Sequence, residues 1–460
     1  MKKFISIIKK RKVNLTKDTI LKILSYCDLK TIISCSYCCK DFNIYANKDN
    51  FWLALCQKNY GNYYKDFIKD TYKETYKICY GLTKVKQTFF KSYGYYNAKI
   101  SDLKKIYDMD FINYVCYNPT VIPKGFGYLV NLESLYLNCR MDGNITIPAE
   151  IGKLLNLRKI KLECTNIKDV PKEIGNLINL QELYIGTDYS FDKTNLTIIP
   201  REFGQLINLQ KLIIKSNKIK VIPKELGQLV NLLELDLSCN NIEIVPIELN
   251  QLSSLQKLDL SVNKIKEFKV TLPNVRELSL THNKIKVISI ELCQSPNLWK
   301  LRLYGNYIME VPKEIVQLIN LEDLCLSKNC IKKVAPELAN LTSLRQLELD
   351  HNNLKVIPNE IYQLTNLEEL DLGSNKLKDI GKEIGQLTKL EELTLWFNQI
   401  KQLPIELGNL TRLHELYLTH NIIRELPIEL GKLTNLDKLD LENNPIKKIP
   451  EELEHLPIKN

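Results

Sequence analysis

From residue 132 to residue 444 the apolar positions keep one beat. A phrase Leu-x-x-Leu-x-Leu-x-x-Asn, with Ile or Val replacing some leucines, begins at Leu132, Leu157, Leu180, Leu209, Leu232, Leu255, Val275, Leu298, Leu321, Leu344, Leu367, Leu390, Leu413 and Leu436. Ten of the thirteen spacings are 23 residues, and the others are 25, 29 and 20. Apolar and polar residues alternate within the phrase, which predicts a short strand whose first, fourth and sixth residues point into a core. Behind it comes Ile-Pro-x-Glu, as in Ile222-Pro223-Lys224-Glu225 and Ile357-Pro358-Asn359-Glu360. This predicts a short helix with proline at its first position and glutamate near its positive end. Glycines at 175, 204, 227, 385, 408 and 431 then allow close approach on the convex side.

A strand and a short helix repeated at constant period form a solenoid, in which each repeat buries its apolar face against its neighbours. The phrase resembles that of leucine-rich-repeat proteins, and the resemblance covers residues 132–460. It implies an α/β fold, a parallel-strand horseshoe of fourteen repeats. The ninth-position asparagine is kept in eleven consecutive repeats, from position 217 to position 444, and its amide can satisfy backbone groups of neighbouring turns. Arg140, Thr165 and Asp188 replace it in the first three, where less regularity is expected. The 29-residue spacing predicts an extra loop near residues 186–194, and the 20-residue spacing a shortened convex side near residues 269–274.

The front of the chain follows a different period. Ile20, Leu21, Ile23 and Leu24 have helical spacing behind a capping Thr16 or Asp18, and Asp28 can open a second helix carrying Leu29, Ile32 and Ile33. Phe42, Phe51, Trp52, Leu55 and Cys56 supply bulk for a small core. Residues 14–60 resemble an F-box: the matches are Leu15, Ile20-Leu21-x-Ile23-Leu24-Ser25, Asp28-Leu29-Lys30, Cys39-Lys40-x-Phe42 and Phe51-Trp52-x-x-Leu55-Cys56. Thr16 stands where the family usually has proline. The resemblance implies a small all-α domain that docks on the adaptor subunit of cullin-based ubiquitin ligases, through Leu15, Ile20, Leu21, Leu24, Asp28, Leu29, Ile32, Phe42 and Trp52. Residues 1–13 form a basic segment before it. Residues 61–110 read as a Lys/Tyr-rich helical linker in which Tyr72, Tyr76 and Tyr80 share one face, and residues 111–131 as a degenerate first repeat.

Charge changes this picture in one respect. Residues 1–110 hold 22 Lys and Arg against 10 Asp and Glu, whereas the remainder holds 42 against 44, so the net +10 belongs to the front. Lysine supplies 55 of the 64 basic residues, which argues against nucleic acid, where the forked guanidinium of arginine is favoured. No apolar run is long enough to span a membrane, and residues 4–8 are too short for a secretory core. The chain is therefore read as cytoplasmic, although residues 9–12 also fit a nuclear address. Thirteen cysteines without paired Cys-x-x-Cys spacing read as reduced thiols.

Function is expected on the concave face, at the second, third, fifth, seventh and eighth positions of the phrase. With strands about 4.8 Å apart this face runs for roughly 60 Å, which suits a protein ligand. Arg276, Lys300 and Arg302 read as a basic strip with Trp299 and Tyr304 beside it. Asp323, Glu348, Asp350, Glu369 and Asp371 read as an acidic strip. Trp396, Phe397 and Tyr417 follow, edged by Glu392, Glu415 and His420. Aromatic and arginine residues carry much of the energy of interfaces, so the expected site spans repeats eight to thirteen. It would hold a basic segment over the acidic strip and an apolar anchor on Trp396.

No nucleophile with its base, phosphate loop or metal set stands out, and His282, His351 and His420 lie three repeats apart. Catalysis, cofactor and metal are not expected. Two readings stay open: a substrate-recognition subunit of a cullin-based ligase, or a non-enzymatic signalling scaffold similar to leucine-rich-repeat proteins of small-GTPase pathways.

Overall fold

The computed structural model describes residues 48–87, 103–116, 122–139, 146–164, 167–187 and 195–459. Leu15, Ile20, Leu21, Leu24, Asp28, Leu29, Ile32 and Phe42 lie outside the described residues, as do positions 140, 165 and 188 and most of the extra loop.

Among the described residues sixteen strands form one sheet, joined in sequence order apart from two short strands that pair with each other, Glu310–Val311 and Lys333–Val334. All pairings are parallel and in register, leucine opposite leucine, as with Leu235 and Leu258 or Leu347 and Leu370. Leu232, Leu235 and Leu237, the first, fourth and sixth residues of their phrase, are fully buried, as the alternation requires. Each regular repeat returns through a single turn of 3-10 helix, such as Lys224–Gln228. Pro223 precedes that helix as its cap, with extended backbone at φ −60° and ψ 131°, rather than occupying the first turn. Its carbonyl accepts the Leu226 N–H at 3.1 Å. Repeats stack at Gly227, where a Cβ would lie 2.3 Å from the Glu248 carbonyl oxygen.

Two features hold the turn after each strand. The ninth-position amide bridges repeats: Asn240 donates to the carbonyls of Ile214 at 2.8 Å and Leu237 at 3.0 Å, and accepts the Ile219 N–H at 3.0 Å. The eighth residue before it is left-handed, including Val262 at φ 55°, His282 at 52° and Phe397 at 48°. Only one of these eighth positions, Gly305 at φ 68°, is glycine, so the asparagine network holds side-chain-bearing residues where the chain alone resists going. The 20-residue repeat has no helix between the strands Lys257–Asp259 and Glu277–Ser279.

In the front part, helices α1 (Asp49–Tyr60) and α2 (Tyr72–Val85) pack together, followed by α3 (Leu103–Tyr107). Trp52 is 1% exposed, with Tyr76 at 5.4 Å between ring centroids, and Tyr76 also meets Tyr60 at 5.6 Å and Tyr80 at 6.4 Å. The Tyr76 and Tyr80 rings lie along the face of α2 that serves the core. Trp52 therefore holds α1 against α2; its ring is closed to an adaptor. α2 abuts the first turn of the solenoid so closely that a Cβ on Gly125 would fall 2.3 Å from the Gly81 carbonyl oxygen. The strand Phe111–Cys116 then pairs with Ser134–Cys139 and opens the sheet.

Candidate protein-binding face

Parallel register turns each phrase position into a column of side chains down the sheet. At the third position the column reads Lys159, Glu182, Lys211, Glu234, Lys257, Glu277, Lys300, Asp323. Charges alternate, and neighbouring strands pair them: Lys159 with Glu182 at 2.7 Å, Lys211 with Glu234 at 2.6 Å, Lys257 with Glu277 at 3.7 Å and Lys300 with Asp323 at 2.7 Å. Then the order breaks. Gln346 is followed by Glu369, Glu392 and Glu415 before Lys438 restores a positive charge.

This register corrects the basic strip. Arg302 also reaches Asp323, at 3.2 Å, so Lys300 and Arg302 both serve one carboxylate. Asp323 is only 5% exposed and offsets one of their two charges, so it is not part of an exposed acidic surface. Tyr304 instead meets His282 at 5.0 Å, edge to face, with the Lys328 ammonium 5.2 Å from its ring. Trp299 has the Lys300 ammonium 5.4 Å from its ring, and with Arg276 it lines a cleft of about 660 Å³ that Gln256, Asn274 and Glu322 complete.

The remaining carboxylates come together. Glu348 accepts from the Cys325 thiol at 2.9 Å; burial pushes that thiol up to about 12, which keeps the proton on sulfur. Asp371 accepts the Gly373 N–H at 2.8 Å, yet burial pushes its carboxyl up to about 7, and the charges of Asp350, Glu348 and Glu392 add to the effect. Burial also raises Glu369, helped by Glu392, Glu348 and Asp323. Among the described residues no Lys or Arg pairs with Glu348, Glu369, Asp371 or Glu392. Asp350 alone has a partner of opposite potential charge, His351 Nδ1 at 2.7 Å.

Aromatic rings border this carboxylate group. Trp396 is half-buried, with His351 at 5.1 Å and Phe397 at 5.4 Å, and its Nε1 sits where a Cβ on Gly373 would come within 2.4 Å. Phe397 is 50% exposed and stacks on His420 at 3.9 Å with 18° between planes. Tyr417 donates to the Glu415 carboxylate, and Lys438 lies 4.5 Å over its ring. Trp396 is thus a wall held by Gly373, and Phe397, turned outward by its left-handed backbone, is the more open apolar surface. Sequence reasoning overlooked Gly373 and the roles of His351 and His420. The signal for the histidines was their shared eighth position; for the charge break it was the third-position column read down the repeats.

Family models support both parts of the chain. A leucine-rich repeat region matches residues 131–296 and 272–406, a further leucine rich repeat matches residues 388–446, and an F-box domain matches residues 13–54. No curated protein matches the sequence. Among solved structures, a leucine-rich-repeat protein of Leptospira interrogans is 34% identical, over 79% of this chain and 92% of that one, with a TM-score of 0.69. An internalin of Listeria monocytogenes is 24% identical over 81% of this chain and 95% of that one, with a TM-score of 0.58, and shows the fold alone. The chain belongs to the leucine-rich-repeat family and carries an F-box domain at its front.

Proposed function

We propose that the protein is a substrate-recognition subunit that links a target protein to a cullin-based ubiquitin ligase. The F-box supplies the attachment and the solenoid supplies the choice of target. Such a subunit needs no chemistry of its own, because holding target and ligase together raises their effective concentration. Both parts belong to kinds of module that bind other proteins, and the reading places the chain in the cytoplasm. The observation that carries the target half is the break in charge alternation at Glu369, Glu392 and Glu415, beside Phe397 and Trp396. A lysine- and arginine-rich segment bearing one apolar side chain fits there: its charges replace the missing lysines of the column, and its apolar group meets Phe397. The test of the ligase half is co-elution with a cullin adaptor. Wild-type protein binds the adaptor, and Leu21→Asp with Leu24→Asp abolishes binding; failure of the wild type to bind at micromolar concentration sinks the reading.

A further inference from the structure

The short repeat leaves a cleft of about 620 Å³ on the flank of the solenoid, whose polar lining is Lys266, Lys269, Lys284 and Lys286 with Ser289 and one carboxylate, Glu267. It arises because the 20-residue repeat has no helix to fill that side, so the segments after two successive strands face each other across a gap. Between the lysines it has an apolar part: Phe268 is buried, while Val287 is 67% and Tyr307 53% exposed. Lys269 pairs with Glu267 at 2.6 Å and also feels Glu291. Lys266, Lys284 and Lys286 have no acidic partner among the described residues. Like charges crowded round an apolar recess repel one another until an anion joins them. We propose that this cleft docks an acidic peptide segment of a partner protein, with aspartates or glutamates against the lysines and one aliphatic side chain against Val287 and Tyr307. Arginine forks and a run of stacking rings, which would favour nucleic acid, do not line it. The recess accepts a projecting side chain, which a flat lipid surface does not offer. This site has the opposite sign to the carboxylate face and stands independently of the target reading.

The experiment is fluorescence anisotropy of the full chain with a labelled peptide of aspartates and glutamates around a single leucine. A single-stranded oligonucleotide and phosphatidylserine vesicles are the competing probes. Wild-type protein binds the peptide, replacing the leucine by serine weakens binding, and Lys266→Glu with Lys284→Glu and Lys286→Glu weakens it at least about tenfold. The exposed Lys382→Glu, away from the cleft, leaves binding unchanged, and an unaltered melting temperature shows that the triple variant is folded. The proposal is overturned if wild-type protein ignores the peptide, if the triple variant binds it equally, or if oligonucleotide or vesicles bind in its place.

Discussion

The two halves of the strand face are built on one frame but treat charge differently. In the first half the third-position column closes on itself, Lys against Glu from strand to strand, so little of its field is left for a partner. In the second half three successive glutamates and Asp371 are assembled, and among the described residues no Lys or Arg pairs with Glu369, Glu392 or Asp371; Lys438 stands opposite only the last glutamate, Glu415. Like charges directly opposite one another on neighbouring strands are destabilising by up to about 1 kcal/mol. A fold that already uses the compensating pattern has the means to avoid that cost. Its absence over these strands separates a surface finished by the chain from one completed by something else.

The largest effect should be indifferent to that distinction. Asn240→Ala and Asn375→Ala, in the first and second halves respectively, each leave a buried N–H without its acceptor, that of Ile219 or Leu354, and remove one of the two asparagine donors shared by the Leu237 carbonyl or by those of Leu349 and Leu372. Each should lose roughly 1 to 3 kcal/mol, read from urea unfolding, the cost of one orphaned buried N–H. A much smaller loss in the second half would mean that the frame itself differs, and the comparison of surfaces would fail.

The next separates the halves by pH. Folded Asp371 holds its proton to about 7 against 3.8 ordinarily, so across that window the folded state binds more protons than the unfolded one. Its contribution therefore favours folding below 3.8 and is lost as pH rises towards about 7. Asp371→Asn should flatten this dependence and raise the melting temperature on the alkaline side. Asp236, the corresponding residue of an earlier repeat, is also raised by burial, but it faces Asp259 rather than a group of carboxylates. Asp236→Asn should change the profile less.

The smallest stability effects are of opposite sign. Glu392→Lys completes the alternation of Glu369 and Glu415 and should stabilise the chain by up to about 1 kcal/mol. Lys257→Glu places a third carboxylate between Glu234 and Glu277 and should destabilise it by a similar amount, about 1 kcal/mol. Thermal unfolding of both variants checks the pair; a shared sign would contradict the account of the column.

Much of the frame could be read from the sequence because it depends on local spacing: the leucines name the core, and the ninth asparagine names the turn. Charge pairing could not be read one phrase at a time. Lys300 and Arg302 look like a free basic strip in their own phrase, whereas Asp323, 21 to 23 residues later in the chain, lies one strand away and takes both. Left-handed backbone at Val262 or Phe397 was equally hidden, because neither residue favours it and only the neighbouring asparagine bonds impose it. Trp52 shows the limit of a motif match: its place fitted the F-box pattern, but its ring is used inside.

The central claim is that the unpaired carboxylates of the second half capture a basic segment. Its most direct measurement is the affinity of the full chain for a labelled lysine- and arginine-rich peptide carrying one phenylalanine, compared across wild type, Glu392→Lys and Lys257→Glu. The account predicts that wild type and Lys257→Glu bind alike, while Glu392→Lys binds about thirtyfold more weakly despite its greater stability. Equal binding by Glu392→Lys and wild type would contradict it.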